Sequence, residues 1–241
     1  MSKSTQNPVT PITPAVPVRA YLKEVADEVT GEIMLLPKYK YLEGAPKQYR
    51  FNGQNGQFNI NGDQILLDTK GKSIDSFSFQ PIAWRIFEEN LFARGRKETW
   101  AELFFVDVKD CVCAIMVNNT TLEELRKLAE NLFYDDLTLA DIVLTIKPEK
   151  AENEREGQKR SWFIGRFSYQ IADKAKVLEY KEFAEDFHIY RRDTLTDTAV
   201  YLAKSETFRL PEPVCLAIEN KSVEAINEVI QVEVTELKQA A

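Results

Sequence analysis

One histidine and three cysteines in 241 residues leave little material for metal or nucleophile chemistry. His188 has no cysteine or serine partner nearby and lies beside a helical stripe of aromatics, where a packed or surface imidazole is the expectation. Cys111 and Cys113 stand two apart and so share one face of a strand, with Cys215 far along the chain. That is too few for a disulfide framework and short of partners for a zinc site, so reduced thiols are expected. No P-loop, G-x-G-x-x-G, G-x-S-x-G or zinc-protease helix occurs. Asp107 and Asp110 bracket a turn, and Asp135-Asp136 follows a helix; both are ordinary aspartate positions. The expectation is a non-enzyme with no cofactor, no metal and no catalytic residue. No apolar run approaches the roughly 18–20 residues of a membrane span, and Met1–Ala20 lacks the apolar centre of a signal segment. A cytoplasmic protein without a membrane partner is expected. The net charge of −7 argues against a protein that coats duplex DNA electrostatically. A local basic groove on an acidic body, as many single-strand binders have, is still allowed.

What is present is a pattern of short elements. Residues 1–20 carry Pro8, Pro11, Pro14 and Pro17, the spacing of an extended, disordered arm. Pro14-Ala15-Val16-Pro17-Val18-Arg19 also fits a proline-ligand pattern, which arises easily in such a tail. Residues 21–75 read as an extension: a short helix over Tyr21–Val29 (Leu22, Val25, Ala26, Val29), then hairpins marked by Asn52-Gly53, Asn55-Gly56 and Asn61-Gly62. These hairpins are expected as a ribbon beside the main body.

Residues 76–172 carry the fold argument. Ser76–Phe87 is extended, with Pro81 at an edge or bulge. Glu88–Glu98 reads as a loop. Trp100–Val106 alternates, placing Trp100, Glu102, Phe104 and Val106 on one face and Ala101, Leu103 and Phe105 on the other. Cys111–Asn118 returns after a turn. Thr120 and Thr121 stand three residues before Glu123 and Glu124 as a capping box, and Leu122, Leu125, Leu128, Ala129, Leu132 and Phe133 continue at helical spacing. Ile142–Lys147 and Trp162–Ile171 are strands flanking a polar loop. This order gives a mainly β, α+β protein: an OB-like five-stranded barrel with a helix between strands 3 and 4. The N-terminal hairpins and the C-terminal helices of residues 173–241 pack around it. One of those helices carries Tyr180, Phe183, Ala184, Phe187 and Tyr190, and another is hinted at by Val223, Ile226, Val229 and Ile230.

A barrel of this kind grips ligand with the loops after its first and fourth strands and across strands 2 and 3. Single-stranded nucleic acid needs cations for phosphates and flat rings for bases. The first loop offers Arg94, Arg96 and Lys97; the other offers Arg155, Lys159 and Arg160, with Arg166 beyond. Trp100, Phe104 and Trp162 are the expected stacking rings, while Leu103, Phe105, Phe163 and Phe167 are assigned to the core. Lys38, Tyr39, Lys40 and Tyr41 form a further basic-aromatic cluster. The acids Glu88, Glu89 and Glu98 equal the cations of the first loop, and Glu152, Glu154 and Glu156 those of the second, which is the usual composition of solvated surface. The functional expectation is a single-stranded DNA-binding protein of replication, recombination or repair, with DNA favoured over RNA. The competing expectation is an assembly or adaptor protein that holds a protein partner or a second copy of itself.

Overall fold

A computed structural model describes residues 18–155 and 158–211, with the Arg155 side chain outside that description. The proline-rich arm through residue 17, Cys215 and the expected helix near 223–230 lie outside the described residues.

The chain begins with strands β1 (Leu22–Ala26) and β2 (Ile33–Pro37), then β3 (Lys47–Phe51), β4 (Phe58–Ile60) and β5 (Gln64–Ile65). Next come β6 (Phe77–Phe79), β7 (Pro81–Glu89), β8 (Glu98–Val106) and β9 (Val112–Asn118), followed by helix α1 (Asn119–Tyr134). A long ribbon of β10 (Ile142–Arg155) and β11 (Gln158–Ile171) precedes α2 (Lys174–Asp186) and the edge strand β12 (Val200–Lys204). The protein is mainly β with two helices among the described residues, an α+β fold.

The strands form a seven-stranded sheet, β12-β7-β8-β9-β3-β4-β5, a three-stranded sheet, β11-β10-β6, and the separate hairpin β1-β2. β6 and β7 are consecutive but lie in different sheets, so the chain at Gln80 links the two. Pro81 begins β7 next to a register shift, where its missing N–H breaks no ladder bond. α1 falls between β9 and β10, over the residues whose leucine spacing predicts a helix. The single closed cylinder expected from sequence is not formed. Its two β-pairs lie in separate sheets because β3 occupies the free edge of β9, pairing parallel to it from Lys47↔Cys113 to Arg50↔Met116. The 49–68 hairpins are therefore part of the main sheet and not a ribbon beside it.

Three local expectations also change. Within residues 21–29 the chain forms β1 (Leu22–Ala26) and enters a hairpin turn, and no helix; Gly31 in that turn has φ +70°, a conformation glycine adopts without strain. The polar residues 149–155 and 158–161 are ladder and not loop, with register continuing to Arg155↔Gln158. Pro148 is accommodated within β10 because β6 pairs only with Leu144–Ile146, leaving that edge open beyond it. The capping box at Thr120–Thr121 is not made: Asn118 is the N-cap and offers no side-chain bond. The Thr121 hydroxyl instead accepts from Gly165 N at 3.1 Å. α1 and β11 approach so closely there that a Cβ on Gly165 would stand 2.9 Å from both Ile146 and Thr121.

The two faces of the seven-stranded sheet bury different cores. Ala101, Leu103, Phe105, Cys113, Ile115 and Val117 pack inward with Leu122, Leu125, Leu132, Ile142, Leu144 and Ile146. At roughly 1.5–3 kcal/mol per fully buried large side chain, this inner layer is the main stabilising mass. The outer face carries Phe104, Val112 and Ala114 against Tyr180, Phe183, Ile189, Tyr190 and Phe208. α2 is capped by Asp173, whose carboxylate accepts from Ala175 N and Lys176 N.

Candidate functional site

The outer face of β8 and β9 is where a barrel of the expected kind would take its ligand, and most of it is covered by the chain's own residues 187–208. Phe104 is fully buried and packs on Phe208, with ring centroids 6.0 Å apart. Trp100 is 4% exposed, sits with Phe87 and Leu91, and donates its indole N–H to the Glu89 carbonyl at 3.3 Å. Neither ring can stack on a base. Tyr39 is buried too, hydrogen-bonded to Glu179 and Lys176, and burial together with Glu179 drives its hydroxyl pKa far up. The Tyr41 hydroxyl is enclosed by the Gly44 and Tyr190 N–H groups and the carbonyls of His188 and Tyr190. Lys38 is held by the Ala20 carbonyl and Glu179, so the 38–41 cluster is a packing device with only Lys40 left exposed.

Most of the expected loop cations also have partners. Arg94 and Arg96 both pair with Glu98, at 2.8 and 2.7 Å. Burial works to raise the Glu98 pKa, but the hydrogen bonds from Arg96 and Arg94 outweigh it and hold the carboxyl below its ordinary range. Arg166 bridges Glu124 at 2.7 Å and Glu149 at 3.0 Å, contacts that push its pKa further up. Lys97 is exposed and makes no ion pair among the described residues. Lys159 and Arg160 are exposed on β11, opposite Glu154 and Asn153.

What the fold does bring together lies at one end of the sheet, where β8 begins and β9 ends. A cleft of about 390 Å³ is lined by Phe51, Met116, Asn118, Asn119, Trp162 and Phe163 among others. A second, of about 490 Å³, is lined by Arg96, Lys97, Glu98, Thr99, Asn119, Thr120, Leu122 and Glu123. Asn119 and Thr120 line both, so the two clefts share a wall: the uncapped first turn of α1, which carries no acid. Helix N–H groups without partners favour an anion nearby. Asn119 has φ +50°, left-handed backbone that asparagine tolerates better than most residues. The aromatic wall is fixed by the β3–β4 turn. Phe163 N donates to the Gly53 carbonyl at 2.7 Å, and the Phe163 ring lies where a Cβ on Gly56 (φ +73°) would be, 2.6 Å away. Phe163 therefore lines the cleft as well as packing, whereas Leu103 and Phe105 are core as expected and Phe167 packs partly buried against it.

Sequence reasoning missed Arg191. It lies over the outer sheet face, 7% exposed, with Nη1 3.6 Å from the Met116 sulfur and 3.9 Å from Glu102. Nothing local marks it, since it sits among aromatics in a connecting segment. Among the described residues no group of three or more His, Cys, Asp or Glu could hold a metal ion. No helix among them is long and apolar enough to cross a membrane. Cys111 and Cys113 are free thiols; burial pushes the Cys113 pKa far up.

No protein-family model, curated protein or solved structure matches this chain.

Proposed function

We propose that this protein is a non-catalytic single-stranded DNA-binding protein whose bound strand lies along the paired clefts at the end of the sheet where β8 begins and β9 ends, and not across the outer sheet face. The observation that carries this is the shared wall: one helix turn joins a cleft lined by Trp162 and Phe163 to a cleft lined by Arg96 and Lys97. Rings for bases and cations for phosphates thus lie on neighbouring surfaces, the combination that sequence-tolerant single-strand binding requires. We read the core as an opened relative of the OB barrel. A first strand shared between sheets (β6 and β7), a β7-β8-β9 meander, and a helix before the β10-β11 ribbon support that reading. Replication, recombination or repair is the setting it fits. Anisotropy titration of a labelled dT oligomer at two salt concentrations tests it. Binding should weaken as salt rises, by about 0.7 log units of affinity per log unit of salt for each phosphate contacted. Absence of binding at low salt would overturn it.

A second reading, protein assembly, is favoured by one observation. Every residue of β2 is exposed, and Ile33, Met34, Leu35 and Leu36 are consecutive apolar residues on a two-stranded hairpin. Such hairpins are marginal alone, and apolar surface of this kind marks contact sites. Light scattering that gives the monomer mass in both the presence and absence of dT oligomer would remove this reading.

A further inference from the structure

We propose that Arg191 and Arg50 form an oxyanion site on the outer face of the sheet, built to take a phosphate group. The reasoning starts from a row of side chains in register across five strands. Arg85 opposes Glu102, Glu102 opposes Met116, Met116 opposes Arg50, and Arg50 opposes Asn59. At one end the charges are closed. Arg85 is fully buried and donates to Glu102 at 2.8 Å, to the Tyr201 hydroxyl at 3.1 Å and to the Thr194 carbonyl at 3.0 Å. Its guanidinium also stacks over Phe87 at 3.9 Å.

Arg191, over the same glutamate, is not closed. It is more than nine-tenths buried, yet among the described residues its only acceptor within hydrogen-bonding reach is a thioether, and the carboxylates of Glu102 and Asp193 both stand 3.9 Å away. Its Nε is buried with no partner, and the other such atom among the described residues is Asn59 Oδ1, in this same row. Burial depresses the Arg191 pKa against the opposing pull of Glu102 and Asp193, and the charges of Arg50 and Arg85 add to the depression. Arg50 is exposed and, among the described residues, engaged only by the Gln48 amide oxygen at 3.3 Å, while Gln48 in turn donates to Asp193. Arg191 lies against Met116, whose register partner on β3 is Arg50, so a desolvated guanidinium with an unspent Nε–H donor and an exposed one flank the same position, an arrangement complementary to a doubly accepting anion. Phosphate oxygens match a guanidinium fork. Two carboxylates stand 3.9 Å from Arg191: Glu102, whose charge is taken up by Arg85, and Asp193, largely exposed and outside hydrogen-bonding distance.

The same chemistry serves a phosphodiester of a strand whose end leaves the first cleft past Met116, which lines that cleft and touches Arg191, a source that rests on the proposed function, and a free phosphate, which does not. Thermal melting of the full chain with inorganic phosphate, against sodium chloride at matched ionic strength, tests the site directly. Phosphate at about four times its Kd should raise the melting temperature by about 2–4 °C. Arg50→Gln and Arg191→Gln should each abolish that rise, Arg94→Gln should keep it, and Asp193→Asn should enlarge it. Should Arg191→Gln not fold, Arg50→Gln alone decides. No rise in the wild type, or an undiminished rise in Arg50→Gln, overturns the site. A dT oligomer titration of the same variants separates the sources. Affinity lowered about 3–10-fold in both arginine variants identifies a strand phosphate. Affinity unchanged, or no dT binding in any variant, alongside a lost phosphate response, identifies a free phosphate and leaves the site intact even where the nucleic-acid reading fails.

Discussion

The two ends of the seven-stranded sheet are built from the same residue types and put them to opposite use. At the β8–β9 turn, polar groups are spent on one another. Asp107 accepts from Lys47 at 2.7 Å, from the Tyr49 hydroxyl at 3.0 Å and from the N–H groups of Lys109 and Cys111. Around it Tyr39, Tyr41, Lys38 and Glu179 form closed networks under α2. At the opposite end, beyond Glu102, Lys97 has no ion pair among the described residues, the first turn of α1 is uncapped, and Arg191 keeps unspent donors. A basic-aromatic cluster is thus not a binding surface by composition. It becomes one only where the fold leaves donors and rings without internal partners.

The largest effect should come from breaking the comparison over Glu102 itself. Arg85→Met leaves a fully buried carboxylate without its main partner and should cost about 3–5 kcal/mol in denaturant unfolding. Arg191→Met, by contrast, removes a buried and poorly partnered charge and should change stability by no more than about 1 kcal/mol. Equal losses in the two variants would mean the two arginines are not differently used. At the turn end, burial opposes ionisation of Asp107, but Lys47, the Cys111 and Lys109 N–H groups and Tyr49 outweigh it and bring its pKa to about 2, below the usual 3.8. Because the folded value is the lower one, its stabilisation is complete above about pH 4 and lost as pH falls toward 2. Asp107→Asn should therefore cost roughly 2 kcal/mol at neutral pH and much less at pH 2, measured by thermal melting across that range.

Binding effects rank below these. Trp162→Leu should weaken dT binding about 10–100-fold, the cost of one stacked ring, while Tyr39→Phe leaves it unchanged. Lys97→Gln should weaken binding by a few-fold and lower the salt slope by about 0.7, the signature of one lost phosphate contact. An unchanged slope would remove Lys97 from the interface.

The element order was readable because hydrophobic period reports burial directly. The β8 alternation placed Leu103 and Phe105 inward correctly, and the leucine spacing of α1 located the helix. The use of the other face was not readable. Glu102 and Phe104 do point outward, but what lies over them arrives more than eighty residues later, in the segment carrying Arg191, Thr194 and Phe208, while Trp100 is closed by Phe87 and Leu91. Local pattern also misled at Leu22–Val29, where apolar residues happen to fall at helical spacing although the following Ile33–Leu36 run pairs with them as a strand. The polar 149–161 stretch reads as loop because its ladder carries few apolar residues. Pairing there is maintained by backbone hydrogen bonds, which leave no mark on composition.

The central claim is that ligand contacts the open end through Trp162 and not the covered face through Trp100. Tryptophan quenching by dT oligomer, compared between Trp162→Phe and Trp100→Phe, tests it most directly. The account predicts that quenching largely disappears in Trp162→Phe and persists in Trp100→Phe. Quenching that survives the first substitution and is lost in the second would contradict it.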